Sequence, residues 1–275
     1  MASPTNVDIR STSAYPSPPL STSADRRNLR VAILETEPYL VTAGGTFAEL
    51  FERLFTKATE DAEAHAARDV VISNFNVVDG VYPVADEFDG LLITGSLADA
   101  YDTDTEWINT LSDYLAEAHA TSQAKLVGIC FGHQILARAL GGEVVQNPKG
   151  WELAVTSLPL TPASAATKLF PEVADGALRL QEMHRDHVSR APVGVEVFAS
   201  SETSPVQGMY VPDKLLTFQG HPEFDEAIVS TMVAEMRRRG AVNNEDAVDA
   251  LARAAEANHS DMVGRAVVRF LAGEV

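Results

Sequence analysis

The strongest constraint in this chain is an alternation of short apolar runs with stretches whose apolar residues recur at helical spacing. Val31-Ala32-Ile33-Leu34 is followed by Phe47, Leu50, Phe51, Leu54 and Phe55. The segment Asp69 to Val78 is β-branched, Gly90-Leu91-Leu92-Ile93-Thr94 is a further run, and Trp107, Ile108, Leu111, Tyr114 and Leu115 share one helical face. Lys125-Leu126-Val127-Gly128-Ile129 then leads into a helical stretch, Ile135 to Leu140, stopped by Gly141-Gly142. A strand without polar alternation is buried on both faces, which a parallel sheet covered by helices achieves. The predicted fold class is therefore α/β: a doubly wound, mostly parallel sheet with helices on both faces. Beyond Gly142 the segments Glu143 to Val145, Ala154 to Leu160, Val195 to Ser200 and Gly208 to Val211 predict a small antiparallel excursion before the apolar strand Leu215 to Phe218. From Asp225 the chain is Ala-rich and helical, with a break at Gly240 to Asn244.

The 275 residues suffice for one large domain. Ser, Thr and Pro dominate residues 1–28, a composition that predicts a disordered N-terminal tail. A domain over residues 29–240 and a helical extension over 241–275 follow. With 21 Lys plus Arg against 39 Asp plus Glu, the net charge of −18 repels phosphate backbones and anionic headgroups. No nucleic-acid or membrane partner is expected. Cys130 is the chain's one cysteine, which excludes a disulfide framework and multi-cysteine metal sites. A reducing, cytoplasmic setting fits, and no apolar run approaches the roughly 18 to 20 residues that span a bilayer.

Ligands in open α/β sheets bind at the carboxyl ends of strands. At one such end, Gly128-Ile129-Cys130-Phe131-Gly132 places a nucleophile between two glycines where a strand meets a helix. This is the pattern of a nucleophile elbow, and the helix N-terminus favours a thiolate. A lone cysteine can equally be a small buried hydrophobe. At a second end, His221-Pro222-Glu223 offers a base and an orienting carboxylate, because residues i and i+2 of an extended segment point the same way. At a third, Thr94-Gly95-Ser96 can present backbone N–H groups which, with that of Phe131, would form an oxyanion hole. Together these parts describe acyl transfer from an amide through a thioester.

The pairing of Gly128-Ile129-Cys130-Phe131-Gly132-His133-Gln134 with Gly220-His221-Pro222-Glu223-Phe224 resembles the class I glutamine amidotransferase family, whose motifs are a GxCxGxQ elbow and a late HPE. The resemblance implies that Cys130 attacks a γ-carbonyl, His221 shuttles the proton and Glu223 orients His221. It also implies that Gln134 helps hold the glutamyl group, with the backbone near Met183 and His184 beside its α-amino and carboxylate end. Gly150-Trp151-Glu152, Met183 to Val188 and Val206-Gln207-Gly208-Met209 look most like the free-standing branch with plant γ-glutamyl peptidases and GMP-synthase-like proteins. The chain has neither a Ser-Gly-Gly-x-Asp-Ser pyrophosphatase loop nor a Walker sequence. The implied activity is hydrolysis of a γ-glutamyl amide or peptide, such as glutamine or a glutathione conjugate. The alternatives are ammonia supply to a separate synthetase partner, and a recruited or non-hydrolytic member of the fold. Leu97 stands where the family's oxyanion loop often has proline, which leaves open which N–H faces the oxyanion.

Trp151 and Glu152 fall in an expected loop, where they would either recognise the substrate's α-amino group or leaving peptide, or plug the core. His133 reads as a capping or packing residue. Gly44-Gly45 either lets backbone approach the ligand or starts a helix. His184, Asp186 and His187 carry metal-ligating side chains, but His184 and His187 stand only three apart, and no metal or cofactor is expected.

Overall fold

In the computed structural model, which describes residues 28–60, 69–162 and 168–275, the first apolar run forms strand β1 (Leu29–Glu35). Its side chains alternate between two cores: Val31 and Ile33 enter one, Ala32 and Leu34 the other. The tail expected over residues 1–28 lies, up to residue 27, outside the described residues. A turn closed by paired hydrogen bonds between Thr42 and Gly45 (2.9 and 3.1 Å) leads into helix α1 (Phe47–Glu60). A reciprocal cap starts this helix: the Thr46 N–H donates to Glu49 Oε2 at 2.8 Å and the Glu49 N–H donates to Thr46 Oγ1 at 3.3 Å. Gly44-Gly45 thus belongs to the helix entry.

Strands β2 (Val70–Asn76), β3 (Gly90–Ile93) and β4 (Lys125–Ile129) follow, with helix α2 (Glu106–Thr121) before β4 and helix α3 (Phe131–Ala139) after it. Next come β5 (Glu143–Gln146), β6 (Glu152–Pro159), β7 (Ala177–His184), β8 (Asp186–Arg190), β9 (Glu196–Ala199), β10 (Gly208–Val211) and β11 (Leu215–Phe218). The chain ends in helices α4 (Glu226–Arg238), α5 (Asn244–Arg253) and α6 (Ser260–Leu271).

The main sheet runs β2-β1-β3-β4-β11-β10-β9. Its pairings are parallel from β2 to β11 and antiparallel from β11 to β9. Two antiparallel pairs, β5 with β8 and β6 with β7, form the excursion, whereas Val195 to Ser200 and Gly208 to Val211, expected within it, join the main sheet as β9 and β10 because β10 pairs with β11. The strands β7 and β8 within it were not expected from the sequence. Helices α2 and α3 bury Ile108, Leu111, Leu115, Ile135 and Leu136 in one core. Phe47, Phe51 and Phe55 of α1 share the opposite core with Val263, Val267 and Phe270 of α6. The segment beyond residue 240 is therefore built into that core, and Lys125 Nζ donates to Phe270 O at 2.7 Å. Among the described residues, no helix is long and apolar enough to cross a membrane.

Candidate active site

β3, β4 and β11 are consecutive parallel strands in close register, Ile93 opposite Gly128 and Ile129 opposite Phe218. Adjacent strands lie about 4.8 Å apart, so Gly95-Ser96, Cys130 and His221, each just beyond one of these strands, converge on one edge. Cys130 is the N-cap residue of α3 with φ 53° and ψ −105°, a conformation that L residues with a Cβ rarely adopt. The flanking glycines make room for it. A Cβ on Gly128 would lie 2.5 Å from Gly132 O, and one on Gly132 would lie 2.3 Å from Ile93 O. The Cys130 N–H is anchored on Phe218 O at 2.9 Å.

His221 is buried, and its Nδ1 lies 2.7 Å from Glu223 Oε1. Burial by itself would push the imidazole down. The charges of Glu223 and Cys130, with hydrogen bonds to both side chains, instead hold it well above its ordinary value. One expectation about this segment is corrected. β11 ends at Phe218, and residues 221–223 form a bridge and turn rather than an extended run. The reason is that the His221 N–H leaves the main sheet for Gln181 O of β7 at 2.8 Å, and Pro222 has no N–H to continue a ladder.

The loop after β3 is shaped by Glu37, which the sequence reading passed over. Ser96 Oγ donates to Thr36 O and to Glu37 Oε2, each at 3.1 Å, and the Leu97 N–H donates to Glu37 Oε2 at 3.1 Å. The Leu97 N–H is thereby committed to a side chain while the leucine itself is 71% exposed. Gly95 lies against His221: a Cβ there would stand 2.9 Å from His221 Cε1.

Gln134 Nε2 donates to Asp186 O at 2.8 Å and to Gln219 Oε1 at 3.1 Å, which joins α3 to the turn between β7 and β8. Met183 and His184 end β7 there. His184 does more than line a wall. Its Nδ1 donates to Asp186 O at 2.8 Å, and its Nε2 stands 3.2 Å from both Glu152 Oε2 and Glu182 Oε2. An Nδ1 that gives its proton to a carbonyl and an Nε2 that faces two carboxyl groups favour the imidazolium form. Burial opposes that charge, but the neighbouring Glu152 and Glu182 raise His184 to about 10. Burial likewise opposes the Glu152 carboxylate, which His184, Ser201 and Ser204 lower to about 2. Burial pushes Glu182 up.

Glu152 begins strand β6 rather than sitting in a loop, because its carboxylate accepts from Ser201 Oγ and Ser204 Oγ (2.6 Å each) and Gln207 Nε2 (2.8 Å). Trp151 packs on the core, and its Nε1 donates to Ala241 O at 3.1 Å, the plug arrangement. The geometry therefore joins Cys130, His221, Glu223 and Gly95, ties the Gln134 amide to Asp186 and Gln219, and holds Trp151 and Glu152 by other partners. His133 is buried with Nδ1 2.8 Å from Thr217 Oγ1 and Nε2 3.2 Å from Val206 O. Burial lowers it to about 3, so it is a neutral packing residue. Among the described residues no cluster of His, Cys, Asp or Glu is arranged to hold a metal ion.

The family model for Glutamine amidotransferase class-I matches residues 54–235, which include Gly95, Cys130, His221 and Glu223. The chain belongs to the class I glutamine amidotransferase family. Within that family it is 32% identical over 250 residues to a glutamine amidotransferase-like protein of Schizosaccharomyces pombe, across 88% of this chain and 98% of that one. It is 34% identical over 164 residues to gamma-glutamyl peptidase 4 of Arabidopsis thaliana, across 58% of this chain and 64% of the peptidase. A solved glutamine amidotransferase from Thermotoga maritima shares the fold with a TM-score of 0.66 at 18% identity, across 89% of this chain and 98% of that one. Class I amidotransferase membership makes this an enzyme of the amidotransferase or hydrolase kind.

Proposed function

We propose that this class I amidotransferase is a cysteine-dependent hydrolase of γ-glutamyl amide or peptide bonds that works through a γ-glutamyl thioester on Cys130. The observation that carries the reading is the buried convergence of a positive-φ cysteine and a histidine whose Nδ1 lies 2.7 Å from Glu223 Oε1, at the ends of neighbouring strands. The Cys130 thiolate adds to the γ-carbonyl carbon, and N–H groups of Gly95, Ser96 and Phe131 receive the charge that develops on oxygen. As the C–N bond breaks, the His221 imidazolium gives its Nε2 proton to the leaving amine. The neutral imidazole then takes a proton from water, whose oxygen adds to the thioester carbon. Collapse releases the γ-carboxyl product and restores the thiol–imidazole couple. Glu223 holds the His221 ring and balances its charge.

Gln134, Met183 and His184 form the glutamyl side of the site in this reading, with the Gln134 amide set by Asp186 and Gln219. The compartment is cytoplasmic, and a separate ammonia-accepting synthetase is the partner if glutamine is the donor. The test is glutamate release from L-glutamine, glutathione, a glutathione S-conjugate and simple γ-glutamyl dipeptides, run beside Cys130→Ala. Release from peptides that the variant abolishes supports a γ-glutamyl peptidase. Release from glutamine alone supports ammonia supply. Release that survives Cys130→Ala overturns the proposal.

A further inference from the structure

The turn that carries His221 also supplies an aromatic face for it. The Phe224 ring lies parallel to the His221 ring, with centroids 4.0 Å apart and an interplanar angle of 2°. Phe224 is buried, and its own N–H turns back toward His221 O at 3.4 Å, so one four-residue segment provides the imidazole, its carboxylate and its stacking partner. Phe47, at the start of α1, backs the arrangement with its ring 5.9 Å from Phe224 and 6.5 Å from His221. Packing alone would be served by any apolar side chain. A face-to-face contact at this distance does something further, because the negative face of an aromatic ring attracts a cation.

We propose that Phe224 is a positioning residue for His221: its ring fixes the imidazole in the plane that serves Glu223 and Cys130, and its face stabilises the imidazolium half of a thiolate–imidazolium couple. The inference rests on the reading of Cys130 and His221 as the working couple. It gives a role to Phe224, to which the resemblance assigned none. The charged and titratable groups acting on His221 are Glu223 on its own turn, Cys130 from the β4–α3 elbow and Glu182 from β7, with His184 behind Glu182. Phe47 and Gly95 face it without charge. None of these groups is removed when Phe224 is replaced.

The test uses the chain's single thiol. Iodoacetamide alkylates a thiolate with loss of iodide, so the pH dependence of the rate reports Cys130 and the ionisation of the histidine beside it. Phe224→Leu keeps an apolar side chain and removes the aromatic face. Its His221-dependent upper midpoint should fall by about half to one pH unit, three- to tenfold in the protonation ratio. Phe224→Trp, with the stronger face, should hold or raise that midpoint. The acylation rate on a γ-glutamyl substrate should fall in the leucine variant with KM little changed. A midpoint unmoved in folded Phe224→Leu, or lowered equally in Phe224→Trp, would overturn the proposal. A wild-type profile indifferent to His221→Gln would remove the couple itself, and the proposed function with it. A His221-dependent step that ignores the aromatic ring defeats only the stacking.

Discussion

His221 stands 2.7 Å from one glutamate carboxylate, whereas His184 stands 3.2 Å from each of two, Glu152 and Glu182. Both rings are buried and both are held toward the imidazolium. The difference lies in whether the charges around them can change. The partners of His184 are carboxylates and a carbonyl that take no part in bond making, so its proton is fixed at about 10, far above neutral pH. Part of what raises His221 is the charge on Cys130. In the proposed mechanism that charge disappears when the thioester forms. His221 thereby loses proton affinity at the step where it gives its proton to the leaving amine, and is left neutral to act next as a base toward water. One imidazole is tied to a charge that comes and goes, and the other to charges that stay.

The sharpest way to break this comparison is to remove each imidazole in turn. His221→Gln should lower kcat by about 10⁴-fold, since triad-type residues act as a unit, and should also lower stability because the buried Glu223 loses its partner. His184→Gln should cost stability without a kinetic loss of that size. It strands the buried Glu152 carboxylate without its cation, a loss of about 3–5 kcal/mol in urea unfolding. Activity per folded molecule should fall far less than in His221→Gln. If His184→Gln instead kept its stability and lost activity by three orders of magnitude, the division of labour drawn here would be wrong.

A smaller effect separates the two by pH. Held at about 10 against an ordinary 6.5, His184 contributes its full stability below 6.5 and loses that contribution as pH rises through about 10. Glu152, held at about 2 against 4.5, contributes fully above 4.5 and loses its share as pH falls through about 2. Their pairing is therefore complete between 4.5 and 6.5. The gap in melting temperature between wild type and Glu152→Gln should be widest there and narrow toward pH 10. A gap independent of pH would mean that a neutral His184 is simply hydrogen-bonded.

The same contrast explains what could be read from the sequence. Strands β1, β3, β4 and β11 carry consecutive apolar residues, a local signal, and Cys130 and His221 follow the ends of β4 and β11, so the centre of the sheet and the elbow with its HPE turn were legible. β7 and β8 bury Glu182, His184 and His187 and also carry Arg179, Asp186 and Arg190, and no local pattern says that residues of these types form buried strands. What makes them strands is distant: Glu152 and Glu182 need His184, and Gln181 O receives the His221 N–H. Glu182 left a trace in Gly220, where a Cβ would stand 2.3 Å from its Oε1. Glu37 acts on Ser96 and Leu97 from a separate segment, which no spacing rule reveals, and Phe224, though only three residues from His221, stacks on it through a turn that the sequence does not signal.

The smallest expected effect concerns a feature the two centres share. Cys130 has φ 53°, and Ala154, opposite Glu182 in the β6–β7 ladder, has φ 59°. Left-handed backbone costs a non-glycine residue about 1–2 kcal/mol, and a position that keeps such strain is held by its surroundings. At Cys130 the strain aims the thiol, and no substitution can relieve it and keep the nucleophile. At Ala154 a methyl group is all that resists, so Ala154→Gly isolates the strain. Glycine's extra freedom in the unfolded chain offsets part of the relief, which leaves a gain of about 0.5 kcal/mol in urea unfolding. The kinetic parameters decide what the strain serves. If the bent strand sets the Glu152–His184–Glu182 cluster, and through the Asp186 carbonyl the Gln134 amide, Ala154→Gly should raise KM for a γ-glutamyl substrate with kcat unchanged. Unchanged KM with the same gain in stability would make the kink a packing solution confined to β6, and the centre around His184 would then act on the site only through its charge.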